Sequence, residues 1–144
     1  MRMNYFNAAV GAIKKVRNYR KEQAQQDELD LMSGDVLVRK MEAEEAMGSD
    51  KAEQAKETCG RAVVTFTAYL MAHEPTPEHP FEKMTAAQQN NLERCYSTAL
   101  PLMAKLGKSQ AEQVIKYGEA YLKYFPDGKH KTAVQNALNQ AKAE

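Results

Sequence analysis

Residues 62–70, AVVTFTAYL, and residues 114–122, VIKYGEAYL, repeat one pattern 52 positions apart. Ala62/Val63 match Val114/Ile115, and Ala-Tyr-Leu closes both stretches. Each is followed by a turn holding proline and histidine. A similar segment comes next, TAAQQNNL at 85–92 in the first copy and TAVQNAL at 132–138 in the second. The first copy has the longer turn. A helical pair of this kind leaves an apolar face it cannot bury alone, so copies stack on neighbours. That requirement narrows the chain to helical hairpins packed side by side.

The rest of the sequence agrees with helices. Ala, Gln, Glu, Lys, Leu and Met are plentiful, Trp is absent, and β-branched residues do not alternate. Those are straight-chain helix formers, and strands would need alternation. The predicted fold is all-α with about six helices in one domain. Residues 1–50 form N-terminal helices, and residues 51–142 form two repeat-like units ending in a capping helix.

Individual helices follow from spacing. Phe6, Ala9/Val10, Ile13 and Val16 step by three or four along one face. Leu29, Met32, Val36, Ala43 and Met47 suggest a second helix, with a weak point at Ser33-Gly34. Gly48-Ser49-Asp50 ends it and caps a third helix over 51–73, whose apolar stripe is Cys59, Ala62, Val63, Phe66, Tyr69 and Leu70. The prolines of 74–80 stop that helix. Thr85-Ala-Ala-Gln88 has the form of a capping box and opens a fourth helix, which Pro101 should kink or shorten near Leu100. Leu106-Gly107 closes it, and Ser109-Gln-Ala-Glu112 reads as a second capping box. The fifth helix runs to about Phe125, PDGKH makes a turn, and the sixth covers about 131–142.

At the level of the repeat the chain resembles the tetratricopeptide family. VIKYGEAYLKYFPDG is similar to that family's second helix: small-aliphatic, aromatic, bulky-Leu, then Pro after a short gap. AVVTFTAYL fits through Ala62-Val63, Phe66 and Tyr69-Leu70, and YLKYFPDG is most similar to versions in bacterial envelope proteins. The resemblance covers about residues 51–142. It departs from the family at Gly118, where an aromatic is expected, at Pro101, and in lacking the Trp, Leu-Gly and Tyr first-helix signature. It implies antiparallel hairpins stacked as a short solenoid, and a non-enzymatic module that binds a protein or peptide partner.

Chemical motifs are few. LMAHEPTPEHPF (70–81) holds His73, Glu74, Glu78 and His79, but not in the spacing of a helical zinc site, and its prolines make it a loop. The predicted state is a solvated turn without metal. Glu42, Glu44 and Glu45 lack any Glu-x-x-His partner and read as a solvated face. Tyr96, Tyr117, Tyr121 and Tyr124 are expected to pack in the core with hydroxyls at its edge. Met32, Met41, Met47, Met71, Met84 and Met103 are expected mostly to fill core gaps. Cys59 and Cys95 fit no metal or redox spacing and read as buried thiols, with a disulfide as the alternative outside the cytosol. No catalytic, cofactor-binding or metal-binding residue is assigned, and no partner-binding residue can be named from sequence.

The net charge of +1 gives no electrostatic pull toward nucleic acid or a membrane. The charges are unevenly placed: residues 1–21 carry six bases and no acid, and residues 22–60 carry eleven acids and four bases. Facing helices or simple solvation explain this most simply; the alternatives are an N-terminal arm docking on an acidic partner or a lipid surface, and self-association through the N-terminal helix. No window reaches the length of a transmembrane helix. The expected location is cytoplasmic if Met1 is the native start, and periplasmic if a signal peptide was removed.

Overall fold

A computed structural model describes residues 7–10 and 23–143, with side-chain environments from residue 26 onward and at 7–10. Among the described residues every regular element is helical. The long helices are α1 (Gln23–Ala46), α2 (Ala52–His73), α3 (Ala86–Lys105), α4 (Ala111–Tyr124) and α5 (Lys131–Ala143). Residues 7–10 are also helical, with Val10 buried. The expected apolar positions Phe6, Ile13 and Val16, and the basic stretch 1–21 apart from 7–10, lie outside the described residues. The chain divides into two compact units, Met1–Tyr69 and Leu70–Glu144, with the division inside α2.

In the first unit α1 and α2 form an antiparallel hairpin. Glu44, near the connecting turn, meets Thr58 of α2, while Gly34, ten residues further from the turn, meets Phe66. The turn depends on Gly48, whose φ of 86° is a left-handed conformation that a Cβ would strain. One 3-10 turn at Ser49–Lys51 then leads into α2. No side chain caps that 3-10 turn, so the expected Ser49/Asp50 cap is absent there.

Ser33-Gly34 is no weak point: α1 runs through it without interruption. A Cβ on Gly34 would lie 2.5 Å from the Phe66 ring, so glycine here lets an aromatic ring sit against the helix backbone. The core around it is Leu31, Leu37, Met41, Ala55, Cys59, Ala62, Val63 and Phe66.

In the second unit α3, α4 and α5 are successive antiparallel neighbours. Glu93, early in α3, bonds Tyr121, late in α4, and Gly118 of α4 faces Leu138 of α5. Thr85 caps α3 as the sequence predicts. Its hydroxyl accepts the Gln88 N–H (3.1 Å), and its own N–H donates to Gln88 Oε1 (2.9 Å). Such a box satisfies two otherwise orphaned donors.

Two other sequence readings are corrected. Pro101 does not shorten α3, which continues to Lys105 with Pro101 on its exposed side. Ser109 is not a cap. It lies in a 3-10 turn, its hydroxyl donates to Leu106 O, and α4 begins at Ala111 after an N-cap residue, Gln110, that makes no side-chain cap bond. The Ser-x-x-Glu pattern is present, but the chain stays in 3-10 geometry until residue 110.

Burial follows the repeat. Ala62, Phe66 and Tyr69 are buried, and so are their counterparts Val114, Gly118 and Tyr121. Leu92 and Leu138 occupy matching buried places in α3 and α5. Gly118, the departure from the aromatic pattern, is where Leu138 lies closest: a Cβ would be 2.8 Å from its Cγ. The aromatic bulk is replaced by a leucine delivered from the next helix.

Candidate partner-binding surface

The histidine-containing stretch 70–81 runs from the end of α2 into a hydrogen-bonded turn. Thr76 and His79 exchange backbone hydrogen bonds, each 3.1 Å, around Pro77-Glu78. Pro77 holds the second position of that turn, where its fixed φ fits. Thr76 Oγ1 accepts a further bond from the His79 N–H. Glu78 and His79 are exposed, whereas His73 ends α2 and is half-buried. Among the described residues no group of three or more His, Cys, Asp or Glu is placed to hold a metal ion.

Past Pro80, the long turn closes on the second unit's own aromatics. Phe81 stacks on Tyr124 (5.4 Å between centroids) and meets Phe125 edge-on (5.2 Å). Gln89 Nε2 donates to Phe81 O, which fixes the turn to α3. The extra length of this copy delivers an aromatic anchor to the end of α4.

Glu74 behaves differently from its neighbours. Its N–H completes the last turn of α2 by donating to Leu70 O at 2.8 Å. Partial burial raises its carboxyl pKa above the ordinary value, and the Lys116 charge opposes that shift.

The tyrosines fill the core, but not all their hydroxyls reach its edge. Tyr96, Tyr117 and Tyr121 are buried, with the ring centroids of Tyr117 and Tyr121 each 6.3 Å from that of Tyr96. Tyr121 OH donates to Glu93 Oε2 (2.9 Å) and accepts the His130 N–H (3.2 Å), which ties α3, α4 and the turn before α5 together. Burial, together with the bond to Glu93, pushes its pKa up to about 12. Gly128 is needed for space: a Cβ there would collide with Tyr121 OH, while its φ is not in the left-handed region. The PDGKH turn therefore uses glycine for close approach. Tyr96 OH is fully enclosed and has no partner among the described residues; burial raises its pKa strongly.

The glutamate run is also corrected. Glu42 and Glu45 are exposed, but Glu44 is completely buried. Thr58 OH donates to Glu44 Oε1, and Glu44 Oε2 has no partner among the described residues. Lys40, one turn earlier on α1, is also buried at 8% exposure. The spacing of three glutamates within four residues carries no sign of this; it follows from which face α1 turns to α2. Cys59 and Cys95 are buried free thiols.

The methionines divide. Met41 and Met103 are buried, but Met32, Met47 and Met71 are exposed, Met71 by 75%. Val64 is 67% exposed. Val64, Ala68 and Met71 lie at i, i+4 and i+7 on the outer face of α2, and Ala72 beside them is also exposed.

That face is unusually free of polar groups. Residues 62–72 contain no charged side chain. The two hydroxyls beside the stripe turn back to the helix: Thr65 donates to Arg61 O (2.9 Å) and Thr67 to Val63 O (2.8 Å). Sequence reading missed this face because it assigned α2 a single apolar stripe. The signal was present as a second apolar line, Val64-Ala68-Met71, on the opposite side of the same helix.

Comparison with protein-family models, with curated proteins and with solved structures finds no match. No described helix is long and apolar enough to cross a membrane.

Proposed function

We propose that this chain is a non-enzymatic protein-interaction module made of tetratricopeptide-like hairpins stacked as a short solenoid, and that it docks a protein or peptide partner. The observation that carries the reading is the outer face of α2. Exposed apolar side chains in a contiguous line, with neighbouring hydroxyls satisfied internally, form the kind of surface that marks a docking site. The matched burial of Ala62/Val114, Phe66/Gly118 and Tyr69/Tyr121 supports the repeat. The buried polar pairs support a packing role over a chemical one: Thr58–Glu44 lies within one hairpin and Tyr121–Glu93 ties two helices.

The test compares affinity capture by the native chain and by Val64→Glu/Met71→Glu. Both positions are exposed, so the fold is expected to persist, as circular dichroism would register. Loss of a specifically captured protein is the expected result. Unchanged capture by the double variant would remove α2 from the docking surface. The second reading, a self-associating component of a larger assembly, is motivated by the segregated charge of residues 1–21 and 22–60.

A further inference from the structure

We infer that Met71 is a reversible oxidation site, at which a peroxide converts the outer face of α2 from apolar to polar. Solvent reaches few of the described sulfurs. Cys59 and Cys95 are buried, so the thiols, ordinarily the faster targets once ionised, are shielded. Met41 and Met103 are buried as well. Met84 is half-buried, Met32 is 42% exposed and Met47 46%, against 75% for Met71. A peroxide must reach the sulfur lone pair to react, so among the described residues Met71 is the sulfur a diffusing oxidant meets first.

Position decides what the reaction does. Met32 has Glu28 and Asp35 one turn to either side on α1, and Met47 lies in an exposed run with Glu45, Ser49 and Asp50. Another oxygen adds little to such polar surroundings. Met71 instead follows exposed Ala68 and Val64 along one face, in a stretch, 62–72, that has no charged side chain. It is the largest side chain of that line.

The chemistry is a two-electron oxygen transfer. The Met71 sulfur attacks one peroxide oxygen, an S–O bond forms, and the O–O bond breaks. The transferred oxygen gives up its proton to the departing hydroxide, which leaves as water. The sulfur is oxidised and the peroxide reduced. A flexible apolar side chain becomes a polar, chiral sulfoxide. The side chain faces outward, so the added oxygen needs no room inside the fold. A thiol-dependent sulfoxide reductase reverses the step: the oxygen leaves as water and two thiols become a disulfide. That the same step also controls docking rests on the reading of this face as a docking surface.

Brief hydrogen peroxide treatment of the full chain, followed by peptide mass mapping, tests the site. Met71 is expected to react about tenfold faster than Met41 and Met103. Retention on a phenyl resin is expected to fall in the same early phase and to return after sulfoxide reductase treatment. Met71→Leu, which keeps apolar bulk without the sulfur, is expected to hold its retention through that phase. Unchanged thermal melts of the briefly oxidised chain would establish that the fold is intact. Oxidation of Met71 no faster than that of Met41 or Met103, or an equal loss of retention in Met71→Leu, overturns the proposal. These readouts need no partner, so they hold or fail independently of the docking reading. A protein whose capture is lost with Val64→Glu/Met71→Glu is expected to be lost also by the oxidised native chain and kept by oxidised Met71→Leu. Capture by the native chain that survives oxidation of Met71 would overturn redox control and leave the docking face standing.

Discussion

Two helix pairs, one in each unit, solve the same packing problem with different partners. In the first, Phe66 of α2 lies on Gly34 of α1; in the second, Leu138 of α5 lies on Gly118 of α4. Both glycines allow a bulky side chain to reach a neighbouring helix backbone. The difference is in what can yield. The aromatic ring at Gly34 is flat and rigid, whereas Leu138 can rotate its branches. Gly60 is the third helical case, where a Cβ would meet nothing within 4 Å among the described residues. The same residue type thus has three meanings, set by what the opposing element delivers.

Gly34→Ala should be the most damaging of these changes, lowering unfolding stability by about 3 kcal/mol, because a Cβ cannot fit beneath the ring without backbone movement. Chemical denaturation measures it, and a second change, Phe66→Leu, should recover part of the loss. If Gly34→Ala is no worse than Gly118→Ala, the contrast between rigid and yielding neighbours fails. Thr58→Val should cost roughly 2 kcal/mol, since it leaves buried Glu44 without its hydroxyl donor. Gly118→Ala should cost about 1 kcal/mol, the strain at Leu138 being partly offset by better helix propensity. Gly60→Ala should raise stability by about 0.5–1 kcal/mol, because an added methyl meets nothing within 4 Å among the described residues. A loss there would mean that Gly60 already has a neighbour within the chain.

The two units also differ in how they use a glutamate. Glu44 has one oxygen bonded and one without a partner among the described residues, while Glu93 is the acceptor of a three-part tie through Tyr121. The second arrangement has a pH signature. Tyr121 titrates near 10 when unfolded and is pushed up to about 12 when folded. The folded state therefore holds its proton more tightly between those values. Its contribution is complete below pH 10 and is lost as the pH rises toward 12. Thermal melts should fall across that window, and Tyr121→Phe should flatten the fall while lowering stability at neutral pH by about 1 kcal/mol. A slope unchanged by Tyr121→Phe would assign it to other groups, Tyr96 first, whose pKa is also raised.

Much of the fold was legible because helix formation is local. The all-α class and the stopping of α2 at the prolines follow from residues within a few positions of one another. So does the Thr85 capping box, whose atoms all lie within one turn. Local patterns failed where the backbone had an alternative. Ser109 matched a cap but lies in a 3-10 turn, and Pro101 does not shorten its helix near Leu100, since it sits on the exposed side of a helix that continues to Lys105. The repeat predicted which faces of α2 and α4 are buried, because apolar periodicity encodes burial directly.

The candidate surface was less legible. Val64 and Met71 are ordinary apolar residues in an apolar helix, and nothing local says that their side faces outward. The sequence by itself determined the all-α class, the stop of α2 at the prolines and the capped start of α3, since those depend on short-range hydrogen bonds and spacing. Only the tertiary structure decided which glutamate is buried, which glycine is crowded and which is open, and that α2 carries a second apolar face. Those properties depend on what a distant segment places opposite each residue, and no neighbour in sequence supplies that.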